Sequence, residues 1–123
     1  MTPTRYAPAF MAAAALLAAV LATALQHDAC ETAQQAFSEC VPYVVGEEPS
    51  VTPNCCRGLG DISDMGDTAA QRGALCACIL SEVKAAGGGR MAPGRVAGLA
   101  ASCKVPIGFI PTKPDFNCST LLI

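Results

Sequence analysis

With 123 residues, and 8 Lys and Arg against 10 Asp and Glu, the chain has room for one small, mildly acidic domain. That charge argues against a nucleic-acid partner and against strong attraction to anionic membranes. The eight cysteines leave no odd thiol and read as four disulfides, which points to an oxidising compartment.

The opening residues have the make-up of a secretory leader. Arg5 is the sole charge in residues 1–9, an Ala-rich uncharged run follows from Phe10 to Leu25, and Ala22-Thr23-Ala24 offers the small residues that a signal peptidase reads. As a membrane anchor the run falls short of the roughly 20 apolar residues that span a bilayer. The predicted division is a signal peptide over 1–24 and one domain over 25–123. Without Arg5 that domain has seven basic and ten acidic side chains, a formal charge of −3. No second hydrophobic span follows, so the product is expected to be secreted and soluble. Its aromatic side chains are Phe37, Tyr43, Phe109 and Phe116 alone, while Ala, Val, Leu and Gly abound. Such a chain buries apolar area but has little bulk to fill its centre, a deficit that disulfides offset at about 2–4 kcal/mol each.

Asp28-Ala29-Cys30-Glu31 has the D-x-x-E form of a capping box and predicts a first helix from near Asp28. Ala33, Phe37, Cys40, Val41 and Val44 recur at helical spacing on its inward face. Pro42 is expected to kink or tighten its last turn, and Gly46 to end it. Thr52-Pro53, a cap followed by proline at the first helical position, opens a short second helix through Cys55 and Cys56. Gly58 and Gly60 weaken it, and residues 61–66 are expected to include an irregular turn. Asp67-Thr68 caps a third helix running to Val83 and Lys84, with Leu75, Ile79 and Val83 along one side and Gly87-Gly88-Gly89 as its stop. A fourth helix fits Ala92 to Ser102, with Pro93 in its first turn and Val96, Leu99 and Ala100 facing inward. From Lys104 onward, Pro106, Gly108, Pro111 and Pro114 forbid regular helix and leave an extended tail pinned at Cys118. No strand pattern competes. The reading is all-α, four helices plus a wrapping tail.

The cysteines run C-x9-C-x14-CC-x19-C-x-C-x24-C-x14-C. On a helix, neighbouring cysteines diverge by about 100° and those of the CxC by about 200°, so neither cluster is expected to close on itself. Each sends its sulfurs to two neighbours, which prunes the roughly 105 pairings of eight cysteines without selecting one.

Cys40-Val41-Pro42-Tyr43, with Gly46 following and Pro53 two residues before the cysteine doublet, is similar to a C-[LIV]-P-Y…G…P-x-C-C segment. Together with the ladder it resembles the plant non-specific lipid-transfer proteins, within the eight-cysteine group that also holds seed amylase/trypsin inhibitors and 2S albumins. Thr68-Ala69-Ala70-Gln71-Arg72 resembles the family's T-x-x-D-R pentapeptide, and Pro93-Gly94 has a counterpart before the fourth helix. The resemblance covers essentially the whole chain after the leader, and the 19-residue gap between CC and CxC is similar to that of the longer, type 1 members. It implies a right-handed four-helix bundle around an internal hydrophobic cavity, closed by the C-terminal tail, which holds fatty acids, lysolipids, phospholipids and similar acyl chains. It also implies the cysteine pairing. The type 1 pattern gives Cys30–Cys78, Cys40–Cys55, Cys56–Cys103 and Cys76–Cys118; type 2 exchanges partners at the CxC, giving Cys30–Cys76 and Cys78–Cys118. Loop length and flanking motifs favour type 1, while Ala77 matches neither type's residue at that place.

The candidate lipid-binding residues are Phe37, Val41, Val44, Leu75, Ile79, Val83, Val96, Leu99, Ile107, Phe109 and Ile110. They form a set able to line a cavity without filling it, although each alone reads equally well as ordinary core. Arg72 matches the basic residue closing T-x-x-D-R, which in type 1 proteins hydrogen-bonds a lipid head group; a guanidinium suits carboxylate or phosphate. The competing reading of Arg72 is a solvated helix charge or an ion pair. Gln71 stands where that motif has Asp, and Phe109 where the family's P-Y-x-I-S segment has Tyr, and both departures bear on head-group recognition. The charge of −3 departs from the basic type 1 members and argues against membrane disruption.

No cofactor or metal is expected, since every cysteine is committed to a disulfide. His27, the only histidine, stands near the predicted mature N-terminus, where nothing holds it as a base, so catalysis is not expected. The alternative is a hydrolase inhibitor on the same scaffold, presenting residues 47–52 or 87–91, with Arg90 suited to a trypsin-like pocket. Seed storage fits less well, since Gln and Arg are not enriched, and a fungal hydrophobin would need two CC doublets. The expected protein is a secreted, monomeric lipid-binding and lipid-transfer protein. Its partners are fatty acids and other lipids, with transient membrane or cell-wall contact.

Overall fold

Helix α1 occupies 28–38 of the residues described by the computed structural model, which are 28–88, 90–92 and 94–122. The leader predicted over 1–24 lies outside the described residues, as do His27, Gly89 and Pro93. Asp28 is already helical rather than a cap, and the Thr32 hydroxyl donates to its carbonyl oxygen at 2.9 Å. In place of one helix through Val44, the structure has α1 and then a short α2, Val41–Val44. Pro42 is the reason. Lacking an N–H, it cannot bond the Ser38 carbonyl, and the chain tightens just before it, with the Cys40 N–H on the Phe37 oxygen at 2.8 Å. The inward face survives the break, because Ala33, Phe37, Cys40, Val41 and Val44 are all buried.

Helix α3, Pro53–Met65, opens at Thr52, whose hydroxyl accepts from the Cys55 N–H at 3.1 Å. It does not stop after the doublet. It runs for 13 residues, through Gly58, Gly60 and the stretch expected to be irregular. Packing overrides the poor helix propensity of glycine here. Gly58 lies so close to α1 that a Cβ there would run into the Ala36 carbonyl oxygen. The same helix completely buries Leu59 and Ile62.

Helix α4, Ala69–Ala86, begins at a reciprocal capping box. Thr68 Oγ1 accepts from the Gln71 N–H at 3.1 Å, and Gln71 Oε1 accepts from the Thr68 N–H at 2.9 Å. Gly87 ends the helix. Helix α5, Arg95–Cys103, starts later than the predicted Ala92, with Gly94 at its N-cap, and buries Val96 and Leu99. The tail from Lys104 has no regular helix until a 3-10 helix at Cys118–Leu122, which packs on α4.

Four disulfides fasten these parts. Cys30–Cys78 joins α1 to α4, Cys40–Cys55 joins the α1–α2 turn to α3, Cys56–Cys103 joins α3 to α5, and Cys76–Cys118 joins α4 to the tail. Each cysteine cluster divides its sulfurs between two partners, and at the CxC it is Cys76 that faces the tail. The architecture is all-helical. Among the described residues no strand occurs, and no helix is long and apolar enough to cross a membrane. One apolar cluster fills the space between the helices, and none of its buried members among the described residues is polar or charged.

Candidate functional site

The candidate wall residues meet in that single cluster. Phe37, Val41, Val44, Leu75, Ile79, Val83, Val96, Leu99, Ile107 and Phe109 are buried in it, and Ile110 packs against it partly buried. Along α4, Leu75, Ile79 and Val83 form one buried row running from the first turns to the last. Leu59 and Ile62 of α3 belong to the same interior. Their spacing, with Met65 three residues further on, was a usable helical signal, obscured by the two glycines beside it.

Arg72 stands at the start of α4. It is half-buried, its stem and the Phe109 ring both pack on Gly66, and its Nη1 donates to the carbonyl oxygens of Gly66 and Asp67 at 3.2 and 3.3 Å. Backbone carbonyls therefore position the guanidinium at the α3–α4 junction. Both of these bonds use one nitrogen of a group with five N–H donors, so donors remain for an anion. Gln71, where the motif has Asp, plays a different part, since its Oε1 accepts from the N–H groups of Asp67 and Thr68, both at 2.9 Å. The local sequence Thr-x-x-Gln explains this as a cap rather than a ligand contact.

Next to this junction an apolar cavity of about 160 Å³ opens between the start of α1, the end of α3 and the first half of α4. Ala29, Cys30, Met65, Ala70, Gln71, Ala74, Leu75 and Cys78 line it, so the Cys30–Cys78 disulfide is part of its wall. Of the candidate wall residues only Leu75 reaches it. The alanines carry no sequence signal for this role, because a small exposed residue becomes a cavity wall only once neighbouring helices stand around it.

The far end of α4 is closed differently. Gly87 packs against Val45 and Val41 of the α2 segment. Arg95 Nη1 donates to the carbonyl oxygens of Tyr43 and Glu48 at 2.9 and 2.6 Å, and its guanidinium lies 4.5 Å from the centre of the Tyr43 ring. Sequence reading singled out Tyr43 only as part of a motif and Arg95 not at all.

A helical frame with four disulfides, an interior with no buried polar side chain among the described residues and an apolar opening matches a known family in sequence as well. The profile of the Protease inhibitor/seed storage/LTP family matches residues 30–118, from the first cysteine to the last. The chain belongs to this family. Within it, non-specific lipid-transfer protein 2 of Arabidopsis thaliana is 33% identical over 92 residues, covering 75% of each chain. Non-specific lipid-transfer protein 3 of Oryza sativa subsp. indica is 27% identical over 116 residues, covering 90% of this chain and 93% of that one. Among solved structures, the hazelnut allergen Cor a 8 aligns with a TM-score of 0.61 at 28% identity, over 73% of this chain and 94% of that one. The fold is also that of barley non-specific lipid transfer protein 1, with a TM-score of 0.60 at 24% identity over the same shares. The family frame thus accounts for the cysteine ladder, the helices and the tail together.

Proposed function

We propose that this protein is a secreted, non-catalytic carrier that takes up single acyl chains and delivers them to an acceptor surface. The observation that carries this reading is an interior of mostly aliphatic side chains, with no buried polar side chain among the described residues, next to an apolar opening that shares Leu75 with it. Family membership supports it, as do the names of the lipid-transfer relatives. So does the barley protein of the same fold, whose structure is a complex with lysophosphatidylcholine.

The opening alone holds little. Its volume of about 160 Å³ is close to the ~150 Å³ engineered cavity that takes up benzene. A longer chain has to part the side chains behind Leu75, following the row through Ile79 and Val83. Burial returns about 0.8 kcal/mol per methylene, so roughly ten methylenes suffice for micromolar binding before the cost of parting the walls. Such contacts carry no direction, and a range of acyl lengths is accepted. Arg72 takes the carboxylate or phosphate of the head, with the guanidinium fork suited to either. The disulfides hold the helices while the side chains move, and contact with a membrane or cell-wall surface is transient. The leader over 1–24 carries the chain out of the cell, and it acts as a monomer.

The inhibitor reading finds less support. Arg90 Nε donates to the Gly87 oxygen of its own loop at 3.3 Å, and its Nη2 lies 3.7 Å from Glu47 of the segment after α2. The Arg90 side chain is 69% exposed and these surface contacts are weak, so the weight against inhibition rests on the relatives, which are named for lipid transfer.

The test is saturable binding of a fluorescent fatty acid by the oxidised protein, displaced by lysolipid. Ala74 is exposed on α4 and lines the opening, so Ala74→Trp is expected to plug it and weaken binding at least tenfold. Ala97→Trp, on the exposed side of α5, should leave binding unchanged. No saturable uptake, together with micromolar inhibition of trypsin or amylase, would reverse the assignment.

A further inference from the structure

We propose that Asn117 is an acceptor for an N-linked glycan, an inference that rests on the secretory reading above. Asn117-Cys118-Ser119 has the N-x-S form that the oligosaccharide-transferring machinery of the secretory pathway requires. Asn54, the other asparagine, is followed by Cys55-Cys56 and lacks the hydroxyl residue.

The fold presents this tripeptide at the surface. Asn117 and Ser119 are both exposed where the tail turns into its 3-10 helix. Asn117 Oδ1 accepts from the Ser119 N–H at 3.1 Å and from the Ser119 hydroxyl at 2.5 Å. The acceptor amide and the hydroxyl that defines the motif are thus already paired, and Asn117 Nδ2 donates to no group among the described residues. Cys118, between them, is tied to Cys76 of α4, so the attachment point is fixed relative to the bundle.

There is room for a sugar beside it. A groove of about 410 Å³ separates Asn117 from the outer face of α4 and is lined there by Leu80, Ser81, Lys84 and the tail's Phe116. Leu80 and Phe116, both half-buried, offer apolar contact to the C–H face of a pyranose. Ser81 and Lys84 offer hydrogen bonds to its hydroxyls. This groove shares no lining residue with the apolar opening at Ala74 and Leu75. A glycan there covers the tail and α4 with polar, solvated bulk and leaves the lipid entrance to meet the acceptor surface.

The donor is a lipid-diphosphate-linked oligosaccharide. Asn117 Nδ2 forms a bond to C1 of its first sugar as the C1–O bond to the diphosphate breaks. The lipid diphosphate leaves with that electron pair, and Nδ2 releases one proton.

The experiment expresses the full chain with its own leader in a eukaryotic secretory host and measures the intact mass before and after treatment with an amide-cleaving glycosidase. A mass excess removed by the enzyme, with asparagine converted to aspartate at position 117 only, is the expected result. It should be lost in Asn117→Gln and in Ser119→Ala, and kept in Thr120→Ala. A secreted chain of peptide mass alone would overturn the glycan and leave secretion standing. Retention in the cell with the leader uncleaved would overturn both. A mass excess that persists in Asn117→Gln would place the modification elsewhere and overturn this assignment.

Discussion

The ring of Phe109 lies so close to Gly66 that a methyl group on the glycine would sit 2.8 Å from two of its carbons and 3.0 Å from Arg72 Cγ. Gly66 therefore lets the tail, the end of α3 and the start of α4 meet closely at the α3–α4 junction. In Gly66→Ala either the buried ring or the Arg72 stem has to shift. Overpacking of this kind costs about 1–3 kcal/mol, and the low end is expected because both neighbours are side-chain atoms. Denaturant unfolding with the disulfides intact measures it, and an unchanged midpoint would show that the ring is not held there.

Two other glycines separate helix propensity from packing. Both Gly58 and Gly60 are interior to α3, where alanine is favoured by about 1 kcal/mol. A Cβ on Gly60 would meet nothing within 4 Å, so Gly60→Ala should stabilise the protein by about that amount. A Cβ on Gly58 would overlap the Ala36 carbonyl oxygen, which is backbone and cannot swing away. Gly58→Ala should therefore destabilise by about 3 kcal/mol or more. Opposite signs for the pair in one unfolding series are the expected outcome, and equal signs would contradict the close approach of α1 and α3.

These glycines also show where sequence reading stops. The caps at Thr52 and Thr68 were legible because their hydrogen bonds close within three residues. The inward faces of α1, α4 and α5 were legible from aliphatic spacing. The full length of α3 was not, since glycine propensity is local and the contact that favours Gly58 comes from another helix. Pro42 announced a disturbance but not that α1 would end before it. Arg95 was silent because its acceptors on Tyr43 and Glu48 stand 52 and 47 residues away in the chain. The aliphatic character of the candidate site was readable; which residues face open space was not, as Ala74 shows, because that depends on how three elements stand around them.

Arg72 can be separated into a charge and a stem. Arg72→Met keeps the stem against Gly66 and removes the guanidinium with its two carbonyl bonds. Affinity for a fatty-acid anion is expected to fall about tenfold, equivalent to about 1.4 kcal/mol. Affinity for an uncharged monoacylglycerol should not move, and the loss of stability should stay near 1 kcal/mol. Titration of the two ligands by fluorescence displacement decides the matter. An equal loss for both would mean that Arg72 shapes the opening and does not recognise the head group.

The disulfide between Cys76 and Cys118 makes a different prediction, because it holds the tail and not the core. It closes a chain separation of 42 residues, and the loop-entropy relation assigns such a crosslink about 4 kcal/mol. In Cys76→Ala/Cys118→Ala, Cys30–Cys78, Cys40–Cys55 and Cys56–Cys103 still join α1, α3, α4 and α5. The bundle is therefore expected to remain folded at room temperature with a lower unfolding midpoint. The tail, including Phe109 and Ile107, is then held by apolar contact and by the Ser63 hydroxyl, which donates to the Pro106 carbonyl oxygen at 3.5 Å. On the proposed function the acyl chain parts the side chains behind Leu75, and a freed tail would let Ile107 and Phe109 move aside with them, so exchange of bound lipid is expected to quicken more than equilibrium affinity falls. Stopped-flow displacement of a fluorescent fatty acid measures the first and equilibrium titration the second. An unchanged dissociation rate in a folded double variant would show that lipid enters and leaves without the tail.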